Sequence, residues 1–425
     1  MTQCETITAI DVGTTKVFSL IAKIPFDNAR SVSKPELIAT STVRCDGLQR
    51  GNVEDITLTA AAIKQSLKQL EDQSGVKTTS AYVGVTGSHV LYENKRNLVD
   101  GIGTYGVITP DELNSVEFSI ESDDERMLLH AMPISYSVDG ADGIRNPVGM
   151  HSNLVSVDTH IITADRSLLT KLLDSCKLAN VKVKAFVMEP FASGLATLTE
   201  KEREQGTLII DIGGGTTDIV GFKNDRVIYT GVIPVGGYQF TNDIAYTYNS
   251  TYESAEKAKI AHGHTELTAI EISQNVTLQV KEELESTTVP AREIGRLLRE
   301  RAIELAQMVQ LKLDEFQMAQ SDTMRVVLTG GGSKLPGITH LFQRYLGRRV
   351  RLGKPSVDWF DQSEMLQEPS KSTGVGILIW ASSKIEDSIK TNKSDSLISK
   401  LLRSQKKLRL SPWMRPATAQ ISERS

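Results

Sequence analysis

Residues Leu208 to Phe222 read LIIDIGGGTTDIVGF, an aspartate, three glycines, two threonines and a second aspartate set between two apolar runs. Leu208, Ile209 and Ile210 on one side and Ile219, Val220 and Phe222 on the other are mostly β-branched or aromatic, and each run is short. The flanks therefore predict two strands and the middle a hairpin turn. Gly213, Gly214 and Gly215 are expected to supply positive φ and to let backbone N–H groups approach a ligand, with Thr216 and Thr217 adding hydroxyls. Such a turn is a nest for phosphate. Asp211 and Asp218 would repel that phosphate unless a divalent cation intervenes, and Mg²⁺ with several retained waters meets the demand. Read alone, the segment also fits a tight hairpin with solvated polar residues.

The device recurs near the N-terminus as ITAIDVGTTKVFSLIAKI, with Asp11, Gly13, Thr14, Thr15 and Lys16 in the turn. Asp11 and Asp211 are 200 residues apart in a chain of 425, the spacing of two similar halves offering one hairpin each to a shared ligand. Lys16 reads as the replacement for the second aspartate of the later copy, a cation for phosphate beside a carboxylate directed at metal. A third element is RVVLTGGGSKLPGITHLFQRYLG, where a strand enters Gly330, Gly331, Gly332 and Ser333. Leu335, Ile338, Leu341, Phe342 and Leu346 then fall at helical spacing, with Pro336 near the first turn. Strand, glycines and helix N-terminus make an anion site, or an ordinary strand-to-helix turn. A dinucleotide fingerprint is disfavoured, because strands follow the glycines of both hairpins, and no phosphate-loop motif of the G-x-x-x-x-G-K-[ST] type occurs.

Paired D-x-G turns with a later strand-GGGS-helix resemble the actin, Hsp70 chaperone and sugar-kinase superfamily. Longer segments sharpen the likeness: VGVTGSHV, LLHAMPISYSVDGADGIRNPVGM, FVMEPFASGLATL, VIPVGGYQFTNDIA and ESAEKAKIAHG. Together they resemble the FtsA family, actin-related bacterial division proteins that tether FtsZ to the membrane, from Ile7 to about Ala381. HSNLVS after Met150 departs from the family's usual G-x-R-L-E.

The resemblance implies an α/β, actin-like two-lobe ATPase fold with duplicated ribonuclease-H-like halves, an inserted small α+β subdomain and a C-terminal amphipathic helix. It divides the chain into a first core lobe (1–87 and 166–195) carrying the insert (88–165), a second core lobe (196–237 and 320–381) and a small lobe (238–319). It further implies ATP and Mg²⁺ as ligands, with Asp11 and Asp211 holding Mg²⁺ through water and weak or slow ATPase activity. Glu189 opens the EPFASGLATL helix; the matching acid of related ATPases orients the attacking water, while the residue type alone equally suits a helix N-terminus. Glu256 and Lys259 match positions that hold ribose and adenine, or form a surface pair at i,i+3. The implied partners are the FtsZ C-terminal peptide, further copies of the chain in a filament, and later division proteins. Arg301, with Arg296, is the candidate for gripping the FtsZ peptide.

Composition suits this class. The chain is 24% charged and 40% hydrophobic with a net charge of −4, which argues against a nucleic-acid partner. Cys4, Cys45 and Cys176 lack C-x-x-C spacing, so neither disulfide framework nor zinc site is indicated. No apolar run approaches the ~20 residues of a bilayer span, and the start, carrying Glu5, lacks the apolar core of a signal peptide.

The C-terminal segment differs from the rest. SSKIEDSIKTNKSD reads as a flexible linker, 382–395. In the following helix, 396–410, Leu397, Ile398, Leu401, Leu402 and Leu408 share one face and Lys400, Arg403, Lys406, Lys407 and Arg409 the other. Residues 384–415 hold nine Lys or Arg against three acids. A basic amphipathic helix fits an anionic membrane surface, with Trp413 as an interfacial anchor; docking on a partner or on the core is the rival reading. Residues 411–425 are expected to be disordered. The function read from all this is a peripheral, membrane-anchored adaptor at the division site, on the cytoplasmic face of the plasma membrane. The alternatives are a PilM-like pilus-assembly ATPase, which lacks such a tail as a rule, and a small-molecule kinase of the same fold. A chaperone ATPase needs a longer substrate domain than the ~45 residues that remain after the core.

Overall fold

Strands Thr207–Ile212 and Thr217–Lys223 form the hairpin expected of the opening segment, and Gln3–Val12 with Lys16–Phe26 forms its counterpart. The computed structural model describes residues 3–26, 34–99, 106–114, 125–281, 285–315, 324–359 and 364–398. Each hairpin nucleates a five-stranded sheet of the same plan. In the first, the order is Lys182–Met188, Ser80–Val85, Gln3–Val12, Lys16–Phe26 and Glu36–Arg44. In the second it is Val350–Leu352, Arg325–Thr329, Thr207–Ile212, Thr217–Lys223 and Arg226–Ile233. Three strands run as an antiparallel meander and two more add in parallel beside the first of them. The repeat visible in the sequence is thus a repeat of topology.

The continuous apolar run of the opening segment has a physical reason. Leu208, Ile210, Ile212 and Ile219 point into the core of the second half, while Ile209, Val220 and Phe222 pack into the cluster of the first. A strand buried on both faces shows no alternation. Helices Glu189–Thr197 and Ser372–Ile398 lie between the sheets, packed so closely that a Cβ on Gly376 would fall 1.8 Å from the Ala192 carbonyl oxygen. The second half keeps its own core around the long helix Ala291–Glu315, with helices Gly237–Thr247 and Tyr252–His262 and the hairpin Asn275–Gln279/Ser286–Pro290 beside it.

The inserted segment forms an antiparallel sheet in the order Val90–Val99, Val155–Asp165, Arg126–Val138 and Ala141–Ile144, with the short helix Pro110–Asn114. It touches both halves. The Met188 N–H donates to His130 Nε2 at 3.0 Å on the first side, and Arg145 forks onto Glu204 at 2.6 and 2.9 Å on the second. Helix Ile56–Ser74 is capped at Asp55, which accepts from the Leu58 N–H at 2.9 Å, and stops at Gly75 in the left-handed conformation, φ 68°.

Two expectations need correction. The glycines at 330–332 lead into a 3₁₀ turn, Gly331–Lys334, and the helix begins only at Ile338, ending at Leu346. Pro336 confines Leu335 to extended backbone and Gly337 adopts φ 83°, which together delay the helix by one turn. The segment 382–395, read as a flexible linker, continues the helix Ser372–Ile398. Neither Gly nor Pro interrupts it, and Ile385 is buried with Ile7, Ile24 and Ala381. The membrane roles read for Leu401, Leu402, Lys406, Lys407 and Trp413, and the disorder expected of 411–425, lie outside the described residues, while Leu397 and Ile398 fall in the last turn of that helix. Among the described residues no helix is long and apolar enough to cross a membrane.

Candidate functional site

The two hairpin turns meet. A Cβ on Gly214 would lie 2.7 Å from the Thr15 hydroxyl, and one on Gly215 2.2 Å from the Thr14 hydroxyl. Close approach, rather than the expected positive φ, is what excludes side chains here, since Gly213, Gly214 and Gly215 are absent from the residues with positive φ. The turns are built alike: Gly13 N–H donates to the Lys16 carbonyl and Gly213 N–H to the Thr216 carbonyl, both at 2.9 Å. This register corrects the reading of Lys16. Asp11 pairs with Phe18 across its hairpin where Asp211 pairs with Asp218, so Lys16 stands in the place of Thr216, and Phe18 replaces the second aspartate.

Four carboxyl groups are buried around this contact: Asp11, Asp211, Asp218 and Glu189. Burial pushes Asp11 up to about 7 against the pull of Lys16, and Asp218 up to about 7 against hydrogen bonds from Thr86 and Thr216. Asp211 is also raised by burial, opposed by hydroxyls: Ser193 donates to its Oδ2, and Thr373 does so at 3.2 Å. Glu189 is held well above the usual carboxylate range by burial and then by Asp11, Asp218 and Asp211, and its Oε1 has no hydrogen-bond partner. Lys16 brings an ammonium to the centre, donating to the Ser370 carbonyl at 2.6 Å, its pKa lowered by burial. Buried carboxyl groups in such excess over the Lys16 ammonium fit an added cation. Among the described residues no three His, Cys, Asp or Glu side chains are grouped to ligate an ion directly, so the donor set suits a hydrated Mg²⁺ rather than a stripped one.

The remaining candidates surround this centre unevenly. Gly330 holds φ 83° against Asp211, whose Oδ1 would lie 2.2 Å from an added Cβ, and the Ser333 hydroxyl turns back to the Gly330 carbonyl at 2.7 Å. Gly331 and Gly332 continue that turn. The Gly237 and Tyr238 N–H groups donate to the Gly213 and Gly214 carbonyls at 2.8 and 2.7 Å, so the helix N-terminus grips the second turn. Glu256 and Lys259 pair at 2.7 Å and both engage the Thr241 hydroxyl, more buried than a solvated surface pair. Arg301 is not free: it forks onto Asp243 at 2.7 and 2.9 Å and also meets Glu304. Arg296 is exposed, with Glu293 at 3.2 Å. Sequence reasoning left Thr86, Ser193 and Thr373 without a role; Thr86 lies in VGVTGSHV and Ser193 in FVMEPFASGLATL, but no spacing rule connects positions so far apart.

Duplicated hairpins closing on a carboxylate centre between two equivalent sheets define an actin-like, nucleotide-binding fold. Solved structures agree on the fold: the PilM-PilN type IV pilus biogenesis complex at TM-score 0.61 and 19% identity, covering 88% of this chain and 98% of that one, and MreB5 of Spiroplasma citri bound to ADP at 0.53 and 15%, covering 91% and 98%. Two family models divide the chain more specifically, the cell division protein FtsA over residues 208–376 and the SHS2 domain inserted in FtsA over 87–163. The cell division protein FtsA of Agrobacterium fabrum is 29% identical over 88% of this chain and 86% of its own length, and that of Pseudomonas aeruginosa 28% over 92% of each. The chain belongs to the FtsA cell-division family.

Proposed function

We propose that this chain is an ATP- and Mg²⁺-binding division adaptor that polymerises through its actin-like lobes, anchors FtsZ to the cytoplasmic face of the plasma membrane and gathers later division proteins. The observation that carries the nucleotide is the contact of two glycine turns over buried Asp11, Asp211, Asp218 and Glu189, with the Lys16 ammonium beside them. Mg²⁺, when bound, supplies charge neutralisation for the phosphates. Asp11 and Asp211 orient its waters, Lys16 balances phosphate charge, and Glu189 faces the attacking water. Since the turns touch, entry of the phosphates requires the halves to part between Thr14 and Gly215.

The tether rests on the basic, leucine-bearing C-terminal segment. Replacing Leu401 and Leu402 by Asp removes roughly 3–6 kcal/mol of apolar burial and adds charges to be desolvated, so vesicle attachment is expected to fail even on strongly anionic lipid. Lys406→Gln with Lys407→Gln is expected to weaken attachment by about 2 kcal/mol and flatten its salt dependence. Flotation with anionic liposomes and ATP is the measurement. A double Asp variant that still floats, or a natural chain that never does, ends the tether reading and leaves the tail as a protein-docking helix.

FtsZ recognition is assigned to Arg301 and Arg296. Because Arg301 is forked on Asp243, an acidic peptide must displace that carboxylate. Arg301→Glu is therefore expected to lower affinity for the FtsZ C-terminal peptide at least tenfold, and Asp243→Asn, which frees the guanidinium, to raise it. Fluorescence anisotropy with the labelled peptide separates the cases: if Asp243→Asn weakens binding as much as Arg301→Glu, the pair is structural and the peptide docks elsewhere.

A further inference from the structure

A cavity of about 10 Å³ lies beneath Glu189, between the first sheet and helix Arg166–Leu178, lined among others by Gly84, Thr86, His89, Leu169, Leu172 and Glu189. That is room for one water. Two buried polar atoms on its lining residues lack any partner, Glu189 Oε1 and His89 Nε2. The imidazole is fixed from behind. His89 Nδ1 stands 2.8 Å from Asn52 Oδ1, which can only accept, so Nδ1 carries the hydrogen and Nε2 presents a lone pair. Gly87, at φ 132°, closes on the same ring: a Cβ there would fall 2.7 Å from Nδ1. On the other wall a Cβ on Gly84 would lie 3.1 Å from Glu189 Oε1, so the carboxyl packs close against that backbone. The Thr86 hydroxyl does not compete for the cavity, since it donates to Asp218 Oδ1 at 2.5 Å.

We infer that this cavity holds one ordered water bonded to Glu189 Oε1 and His89 Nε2, making His89 the positioning residue of the Glu189 carboxyl. Buried polar atoms are normally satisfied, and the two unpaired atoms give a polar spot, in an otherwise largely aliphatic cavity, with room for one water. Burial lowers the His89 imidazole to about 4, which keeps it neutral and its lone pair available. Through Asn52, His89 and the water, the carboxyl is held in one rotamer, as outer partners hold ligands in other sites. Neither Asn52 nor His89 is among the residues read as holding nucleotide, so the relay is expected to act on turnover through Glu189 and not on affinity. The inference rests on the reading of Glu189 as the carboxyl that faces the attacking water.

The test compares His89→Phe, His89→Gln and Asn52→Leu in the full chain, with fluorescent-ATP affinity and Mg²⁺-ATP turnover measured separately. Affinity is expected to stay within twofold throughout. His89→Phe, a ring without an acceptor, is expected to lower kcat at least tenfold with KM unchanged, and His89→Gln, whose amide oxygen can accept, to stay within threefold of the natural chain. Asn52→Leu, which unlocks the tautomer, is expected to lose three- to tenfold in kcat and carries the test should the Phe variant not fold. A high-resolution crystal structure should show density within hydrogen-bond distance of both atoms. Unchanged kcat in the Phe or Leu variant, equal losses in Phe and Gln, or a dry cavity overturns the assignment. A natural chain that binds ATP without turning it over also overturns it while sparing the nucleotide site; absence of ATP affinity overturns both.

Discussion

Gly330→Ala is expected to lower ATP affinity about a hundredfold, about 2.7 kcal/mol, while leaving the chain folded. Gly330 takes φ 83° and ψ 168°, a region open in practice to glycine alone, and its added methyl carbon would lie 2.2 Å from Asp211 Oδ1 and 2.5 Å from the Ile212 carbonyl oxygen. Backbone cannot yield cheaply there, because the Gly330 N–H is tied to the Pro369 carbonyl at 3.2 Å. Asp211 would be driven off its bonds to Ser193 and Thr373, and with it the carboxylate side of the phosphate centre. Strain at such a backbone position costs on the order of 1–3 kcal/mol, less than the roughly 5–15 kcal/mol that holds a typical folded chain. Gly214→Val is expected to act on the same affinity by a different route, filling with a side chain the space beside Thr15 that the phosphates must enter. Equilibrium titration with a fluorescent ATP analogue reads both, with circular dichroism to show retained fold. A Gly330→Ala variant that binds as tightly as the natural chain removes Asp211 from the site.

Gly376→Ala is expected to be the more damaging change to the protein as a whole. Its Cβ would meet the Ala192 carbonyl oxygen at 1.8 Å and the carbonyl carbon at 2.2 Å, so the two helices between the sheets must separate. Overpacking of a filled interior costs about 1–3 kcal/mol and more where backbone opposes backbone, and a loss of at least ~3 kcal/mol is expected here. The helix cannot slide away, since Gly374 on the same segment lies against Phe18, where a Cβ would fall 2.5 Å from the ring. Because Thr373 precedes these positions, the displacement also reaches Asp211, so ATP affinity falls together with stability. Urea unfolding followed by circular dichroism measures the first and nucleotide titration the second. A midpoint equal to that of the natural chain shows that the helices part freely.

Much of the outline was legible in the residues. Hairpins recur 200 residues apart because each half must present the same turn, and glycine, threonine and aspartate are the residue types a phosphate turn can use. Helix Ile56–Ser74 carries its own bounds, an Asp55 cap and a left-handed Gly75 stop, both local devices. The helix after Gly332 starts a turn later than its aliphatic spacing predicts, because Pro336-Gly337 impose backbone demands that are just as local. The polar composition of 382–395 suggests a linker, but the segment contains no residue that breaks a helix and Ile385 has a buried place to go.

Residue type and spacing along the chain were enough to define the chemistry of the turns and the existence of two halves. How those turns meet depends on the folded chain. The exclusion of side chains at Gly214 and Gly215 comes from Thr15 and Thr14, some two hundred residues away, and not from any backbone angle of the glycines. Strand register, fixed by pairing of Asp11 with Phe18 and of Asp211 with Asp218, set Lys16 apart from the role first read for it. Arg301 was spent on Asp243 and Glu189 was drawn inside by the same cause: charge is satisfied or stranded by neighbours in space, and only folding brings those neighbours together.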